Sequence, residues 1–419
     1  MASSMCSLLE LDRACVWHPF TQAKTARAPI PIVRGKGAYL YAAEGQRYLD
    51  AISSWWVNLH GHAHPYIVEK IAAQAEVLEH VMFAGFTHDP AVRLASSLLS
   101  LLPKAMSKVF YSDNGATAVE VALKMALQYW YNQGIDRTEV ICFRHGYHGD
   151  TFGAMAAAGK NHWNRPFWRH LFDAAMIDPP MRGQEGSSLA QLQAVLERGT
   201  AACFIFEPLV LGSGGMHIYP PEGLDRLIQC CKASGVLTIA DEVMAGFGRT
   251  GPLFACEKLR FAPDLICLSK GITGGFLPLG ATVCTEAIFE AFLSEDRQKA
   301  FLHGHSYMAN PLACSSALAS LDLLLKPECA LQRERIEALH RAFCQKWGSH
   351  PKLKRCEALG TLLVLEYSSA GSSYFDPLGD RLQAFFLSRG ILIRPLGNVV
   401  YLLPPYCIQE EELRVVFPH

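Results

Sequence analysis

The feature that most limits what this chain can become is a series of short, continuously apolar runs through its middle. They are Val109-Phe110-Tyr111, Val140 to Phe143, Ala202 to Phe206, Val236 to Ala240, Leu265 to Leu268 and Ala281 to Cys284. Runs of this length without polar alternation fit strands buried on both faces, as in a mainly parallel sheet covered by helices. Between them lie turns and helical stretches, the rhythm of an α/β fold.

Ala116 to Trp130 reads as a strong helix. Glu120, Lys124 and Gln128 recur every four residues as one polar stripe, with Glu120 placed to pair with Lys124. Apart from Thr117 the rest is largely apolar, so this helix should pack deep. The flanks differ. Gly35 to Asp50 reads as a hairpin turning at Glu44-Gly45, and charges become denser beyond Leu321. A helix is expected around Glu334 to Trp347, with β-like runs at Thr361 to Tyr367, Ile391 to Arg394 and Val399 to Leu403. Ser368 to Ser373 reads as a loop. This pattern assigns a large α/β domain to residues 60–320. A small α+β domain is then built from both chain ends, 1–59 and 321–419.

Charge narrows the function. The 38 basic and 39 acidic side chains nearly cancel, and charged residues make up only 18% of the chain. No field of one sign is present to gather nucleic acid or an anionic membrane. The expected partners are therefore small molecules or a second copy of the chain. The first residues, Met1 to Trp17, carry Glu10 and Asp12 and do not read as a signal peptide. No stretch approaches the roughly 20 apolar residues of a membrane span. The 14 cysteines are scattered, without a Cys-x-x-Cys, and several lie inside apolar runs. They are expected to be reduced, buried thiols of a cytoplasmic protein.

Open α/β sheets bind ligands beyond the carboxyl ends of their strands, and the polar punctuation falls at such places. Ser112-Asp113-Asn114-Gly115-Ala116 follows the first run and opens the strong helix. Small residues there let free N–H groups approach a phosphate. Asp241-Glu242 follows Val236 to Ala240, where a carboxylate needs a cation or several donors to offset burial. Ser269-Lys270-Gly271 follows Leu265 to Leu268, and a lysine at a buried strand end can be made nucleophilic by desolvation. Phosphate cradle, acid and strand-end lysine are together what pyridoxal phosphate requires: a hold on its phosphate, its ring nitrogen and its aldehyde.

These residues carry a resemblance. Asp241-Glu242-Val243, Gly246-Phe247-Gly248-Arg249-Thr250-Gly251 and Pro263-Asp264 with Ser269-Lys270-Gly271 are similar to the signature of class III aminotransferases, a fold type I family. A second set resembles the biotin-pathway branch of that family. It comprises Trp17-His18-Pro19-Phe20-Thr21, Ser53-Ser54-Trp55-Trp56, Ala118 to Lys124, Gly146-Tyr147-His148-Gly149-Asp150-Thr151 and Arg394-Pro395.

The resemblance implies a transaminase acting on 8-amino-7-oxononanoate to give 7,8-diaminononanoate, with S-adenosylmethionine as amino donor and lysine as the alternative. Lys270 is implied to bind the cofactor as a Schiff base and to move the proton. Asp241 would pair the pyridine nitrogen, Gly115 and Ala116 would hold phosphate, and Tyr147 would stack on the ring. Trp55, Gly304 and Arg394 are implied to line the keto-acid site, with Arg394 gripping the far carboxylate. His305 and Ser306 would complete the phosphate site across a homodimer. Glu207 and Arg249 are expected close to the substrate. Phe20 joins Lys270 and Tyr147 at the implied catalytic positions. It stands where a tyrosine is common, as Ala116 stands for serine and His305-Ser306 for Pro-Thr.

Other readings exist for the same residues. His60-Gly61-His62-Ala63-His64 places histidines on one face of a strand, but no cysteine or acid nearby completes a zinc set, and no metal is expected. An aminomutase or racemase on the same scaffold would need no separate donor. A non-catalytic binder of the cofactor would have no use for Lys270, Asp241 and Tyr147 together.

Overall fold

The protein is described here as a computed structural model covering residues 2–369 and 374–417. Seven strands form the large sheet in the order Met106–Ser112, Gly280–Thr285, Leu265–Leu268, Leu237–Asp241, Ala201–Phe206, Glu139–Phe143 and Ala175–Ile177. The central strands are buried on both faces, as their unbroken apolar sequences require. Phe204 and Phe206 pack to one side with Leu224 and Leu227. Cys203 and Ile205 pack to the other with Val121 and Ala122 of the helix Gly115–Asn132.

Two strands depart from the expected pattern. Gly280–Thr285 runs antiparallel to its neighbours, with Leu268 opposite Ala281 and Leu265 opposite Cys284. The connection across residues 269–279 is too short for the dozen or more residues of a parallel crossover, so the chain doubles back. Met106–Ser112 lies at the sheet edge and is only partly buried. Ala175–Ile177, at the other edge, was too short to stand out in the sequence.

The hairpin expected over Gly35 to Asp50 forms from Tyr39–Ala42 and Arg47–Asp50, with Tyr39 opposite Leu49. Ile32–Lys36 extends it on one side, and Ile391–Leu392 pairs in parallel with Leu49 and Asp50 on the other. Strands from opposite ends of the chain thus share one sheet. A second small sheet joins Leu353–Leu359, Leu362–Tyr367 and Val399–Leu402. The first of these, Leu-Lys-Arg-Cys-Glu-Ala-Leu, mixes charged and apolar residues without strict alternation and so carries no strand signal in its sequence. The helix expected near Glu334 begins earlier and spans Pro327–Trp347. The expected loop at Ser368 to Ser373 lies partly outside the described residues.

The polar stripe on Gly115–Asn132 is tied to neighbouring segments and not paired along the helix. Glu120 accepts from the Thr151 hydroxyl and the Ala154 N–H, Lys124 meets His303 Nδ1 at 2.9 Å, and Gln128 donates to the Lys299 and Ala300 carbonyls. The expected Glu120–Lys124 pair does not form, because each side chain takes a partner on a neighbouring loop instead. His60 and His62 take separate partners as well. His62 Nε2 lies 2.9 Å from Asp50, His60 Nε2 lies 3.1 Å from Ser320, and burial lowers the His60 pKa to about 3. Among the described residues no group of three or more His, Cys, Asp or Glu side chains could hold a metal ion. The cysteines from Cys15 to Cys407 are all free thiols. No described helix is long and apolar enough to cross a membrane.

Candidate active site

The polar residues after the sheet strands converge at one edge. Asn114 and Gly115 follow Met106–Ser112, Tyr147 and His148 follow Glu139–Phe143, and Glu207 follows Ala201–Phe206. Asp241 ends Leu237–Asp241, and Lys270 comes just after Leu265–Leu268. All of them line one cavity of about 750 Å³, where open α/β sheets place ligands.

At Lys270 the chain leaves the strand abruptly. The Ser269 hydroxyl donates to the Leu279 carbonyl at 2.7 Å, Lys270 itself takes a φ of +46°, and a single 3-10 turn ends at Gly274. A lysine in that region costs on the order of 1 kcal/mol or more, and it presents the side chain to the cavity. Nζ lies 4.5 Å from the centre of the Trp56 ring. Burial disfavours the ammonium and lowers its pKa to about 8, against the opposing pull of Asp241 and Glu207. Such an amine is partly neutral near neutrality and therefore nucleophilic.

Two buried carboxylates face it. Asp241, 6% exposed, accepts the Val243 N–H at 3.0 Å on Oδ1 and pairs with His148 Nδ1 at 2.7 Å through Oδ2. His148 Nε2 is buried without a partner among the described residues. Glu207 accepts the Tyr147 N–H on Oε1 and the Gly212 N–H on Oε2, both at 2.9 Å. Burial raises the Glu207 pKa to about 7; His148 opposes this and Asp241 adds to it. Tyr147 donates its hydroxyl to Asp150 at 3.0 Å, and burial pushes its phenol above the usual range.

The helix after Asn114 opens with a reciprocal cap. The Thr117 N–H donates to the Asn114 side chain, and the Asn114 N–H donates back to the Thr117 hydroxyl, both at 3.0 Å. Gly115 and Ala116, in the first turn, have N–H groups with no intrahelical acceptor. A Cβ on Gly115 would lie 2.7 Å from Val243 Cγ1, so only glycine keeps this turn against the sheet.

At the mouth, Phe20 and Trp55 lie with ring centres 5.5 Å apart, and the Arg394 guanidinium sits 5.7 and 4.6 Å from them. Trp55 is carried by a tight turn in which Ser53, Ser54 and Trp56 have φ of 52°, 59° and 66°. The Asp50 carboxylate accepts the N–H groups of Ile52 and Ser54 and so pins that turn. Arg249 pins it from behind, donating to the carbonyls of Trp56, Asn58 and Pro404. Arg249, 1% exposed, does not line the cavity, contrary to expectation. Its guanidinium is committed to three backbone carbonyls.

Lys270, Asp241, Tyr147, Gly115, Ala116, Phe20 and Trp55 are thus brought together, with Arg394 at the rim. Gly304, His305 and Ser306 are not: within one chain they do not line this cavity. His305 lies 3.1 Å from His303 and 3.5 Å from Asp113, and the Ser306 carbonyl meets His80. Three contributors had no role assigned from sequence. His148 and Trp56 sit inside quoted motifs, but Tyr374, which meets Arg394, carries no sequence signal.

The profile described as aminotransferase class-III matches residues 20–418. The chain belongs to the class III aminotransferases. It is 49% identical to the adenosylmethionine-8-amino-7-oxononanoate aminotransferase of Synechococcus elongatus, covering 96% of each chain. It is 38% identical to that of Geobacter sulfurreducens over 97% of this chain and 95% of the other. The crystal structure of the Methanocaldococcus jannaschii aminotransferase of the same name superposes with a TM-score of 0.93 at 36% identity, over 98% of this chain and 97% of that one. An (S)-enantioselective omega-transaminase from Thermomicrobium roseum gives 0.92 at 30% identity, over 98% and 96%. This aminotransferase has the fold type I architecture. Members of the family depend on pyridoxal phosphate, and the residues present fit that group. A partly neutral strand-end amine, a buried carboxylate with a fixed partner and a helix start with unpaired N–H groups all open on one cavity.

Proposed function

We propose that this aminotransferase converts 8-amino-7-oxononanoate to 7,8-diaminononanoate in biotin synthesis, with S-adenosylmethionine as amino donor. The relatives above support the reaction by their names. The observation that carries it is Arg394. Its guanidinium stands at the rim against Trp55 and Phe20, and among the described residues no carboxylate pairs with it. A planar cation without a carboxylate partner at a pocket mouth suits a keto acid whose carboxylate lies far from the reacting carbon.

When bound, pyridoxal phosphate supplies an electron sink at the substrate's amine-bearing carbon. The chain's own residues do the rest. Gly115 and Ala116 N–H groups hold the phosphate, and the partner subunit's His305 and the partner subunit's Ser306 complete that hold. Asp241, fixed by His148, would keep a proton on the ring nitrogen, and Tyr147 would pack on the ring. Lys270 Nζ would hold the cofactor's aldehyde carbon and, as a partly neutral amine, would serve as the base that moves the substrate's proton. Trp55 and the partner subunit's Gly304 wall the keto-acid path toward Arg394. The reading therefore includes a homodimer, in the cytoplasm, with shared sites. It also keeps residues 60–320 as the large domain and both chain ends as the small one, supported by Ile391–Leu392 lying beside Arg47–Asp50.

Lysine is the second reading for the donor. Phe20 offers the pocket a ring with no hydroxyl, and a flexible chain with a terminal ammonium needs none. Incubating the enzyme with 8-amino-7-oxononanoate and each donor separately, with mass detection of 7,8-diaminononanoate, tests both. Product with neither donor refutes the assignment.

A further inference from the structure

Among the described residues, no carboxylate holds Arg394. Its Nη2 donates to the Tyr374 hydroxyl at 3.2 Å, and its guanidinium lies over Trp55 at 4.6 Å and near Phe20 at 5.7 Å. Tyr374 in turn packs edge-on against Trp163, with ring centres 4.3 Å apart. Trp163 also lies 5.0 Å from Phe375 and reaches His162 at 5.1 Å. The rim cation is therefore fixed through a phenol by an aromatic group on a separate element, the segment before the 3-10 turn Arg165–His170.

A phenol is a suitable holder. A carboxylate in its place would neutralise the guanidinium and compete with an incoming substrate anion. A neutral acceptor uses one N–H of the five on the fork and leaves the others for a bidentate carboxylate. Holding the long side chain also removes part of the rotamer entropy that binding would otherwise cost.

We infer that Tyr374, backed by Trp163, is a positioning residue that sets acceptor chain-length selectivity by fixing Arg394 at one distance from Lys270. This rests on the proposed role of Arg394 in gripping the distal carboxylate. With the cation fixed, only acids whose carbonyl reaches the Lys270 end while their carboxylate reaches the fork satisfy both. Freed from Tyr374, the guanidinium adapts to shorter and longer acids, and each is bound less well.

The test uses the pyridoxamine form of the intact holoenzyme and a series of ω-oxo carboxylates differing by single methylenes, beside uncharged aldehydes of matched length. Tyr374→Phe, Arg394→Ala and the parent are compared by single-turnover kinetics. For Tyr374→Phe the half-saturation concentration of the best acid is expected to rise about three- to tenfold, the worth of one hydrogen bond. Its length optimum should flatten, while its saturating rate and the uncharged aldehydes stay as in the parent. An unchanged length profile in Tyr374→Phe, with Arg394→Ala strongly impaired on acids, overturns the role of Tyr374 and spares that of Arg394. Equal losses on acids and uncharged aldehydes overturn it as well, because they report general damage to the pocket. Arg394→Ala with undiminished binding of the acids sinks the carboxylate reading and this inference together.

Discussion

Glu207→Gln isolates the cost of keeping a second acid beside Asp241. The folded protein holds a proton on Glu207 up to a pH of about 7, whereas an unperturbed glutamate loses it near 4.5. Between those values the folded form binds the extra proton, so stability from this group is present at low pH and is lost as pH rises. A pKa difference of about 2.5, at about 1.4 kcal/mol for each, amounts to about 3 kcal/mol. Glutamine cannot ionise and removes that dependence. It also turns an NH2 toward either the Tyr147 or the Gly212 N–H, a fixed penalty of about 1–3 kcal/mol. The fixed penalty does not vary with pH, so the two effects separate. Urea unfolding of both cofactor-free proteins between about pH 4.5 and 8 should show the parent ahead at the acid end. Its advantage should shrink by about 3 kcal/mol toward the alkaline end, with other titrating groups common to both proteins. A stability difference that stays constant with pH refutes the reasoning, because Glu207 would then be ionised throughout.

Covalent attachment of pyridoxal phosphate to the cofactor-free enzyme should accelerate with pH about a midpoint near 8, where Lys270 becomes neutral. Borohydride reduction followed by peptide mapping should place the pyridoxyl group on Lys270 and leave Lys270→Ala unlabelled. Co-expressing Lys270→Ala with a His305→Trp, Ser306→Ala double variant should restore activity through the heterodimer's one intact site. Verified heterodimers without activity argue against sharing. Phe20→Tyr should raise the rate with S-adenosylmethionine relative to lysine, measured by stopped-flow absorbance with each donor alone. The change is expected to be within about tenfold, the worth of one hydrogen bond.

The sheet was legible because its central strands are buried on both faces and so carry no polar interruption; Ala202 to Phe206 and Leu265 to Leu268 match their strands closely. Lys270 and Asp241 were legible for the same reason, since a charge next to such a run demands an explanation. What failed depends on information that periodicity does not hold. The direction of Gly280–Thr285 follows from the length of the connection before it. Glu120 and Lys124 have helical spacing for an ion pair, yet nearby loops offered each a better partner. Arg249 sits in the family signature, but only the fold shows that its guanidinium donates to the carbonyls of Trp56, Asn58 and Pro404. Tyr374 follows a Ser- and Gly-rich stretch and gains meaning only from Arg394 beside it.

The turn that carries Trp55 and Trp56 also fixes an order of events during synthesis. Its partners come from the far end of the chain: the Ser53 hydroxyl donates to the Leu403 carbonyl, Trp56 Nε1 to the Tyr401 hydroxyl, and Arg249 bridges it to Pro404. The large sheet is complete in sequence by Thr285 and has no strand beyond it. A ribosome that has released the sheet has therefore not yet supplied what pins the pocket mouth. Domains generally form as units while the chain emerges, so the cofactor edge is assembled first and the substrate gate last. Shortening the chain before Tyr401 should then remove the partners that hold Trp55 and Trp56, and with them the wall of the keto-acid path.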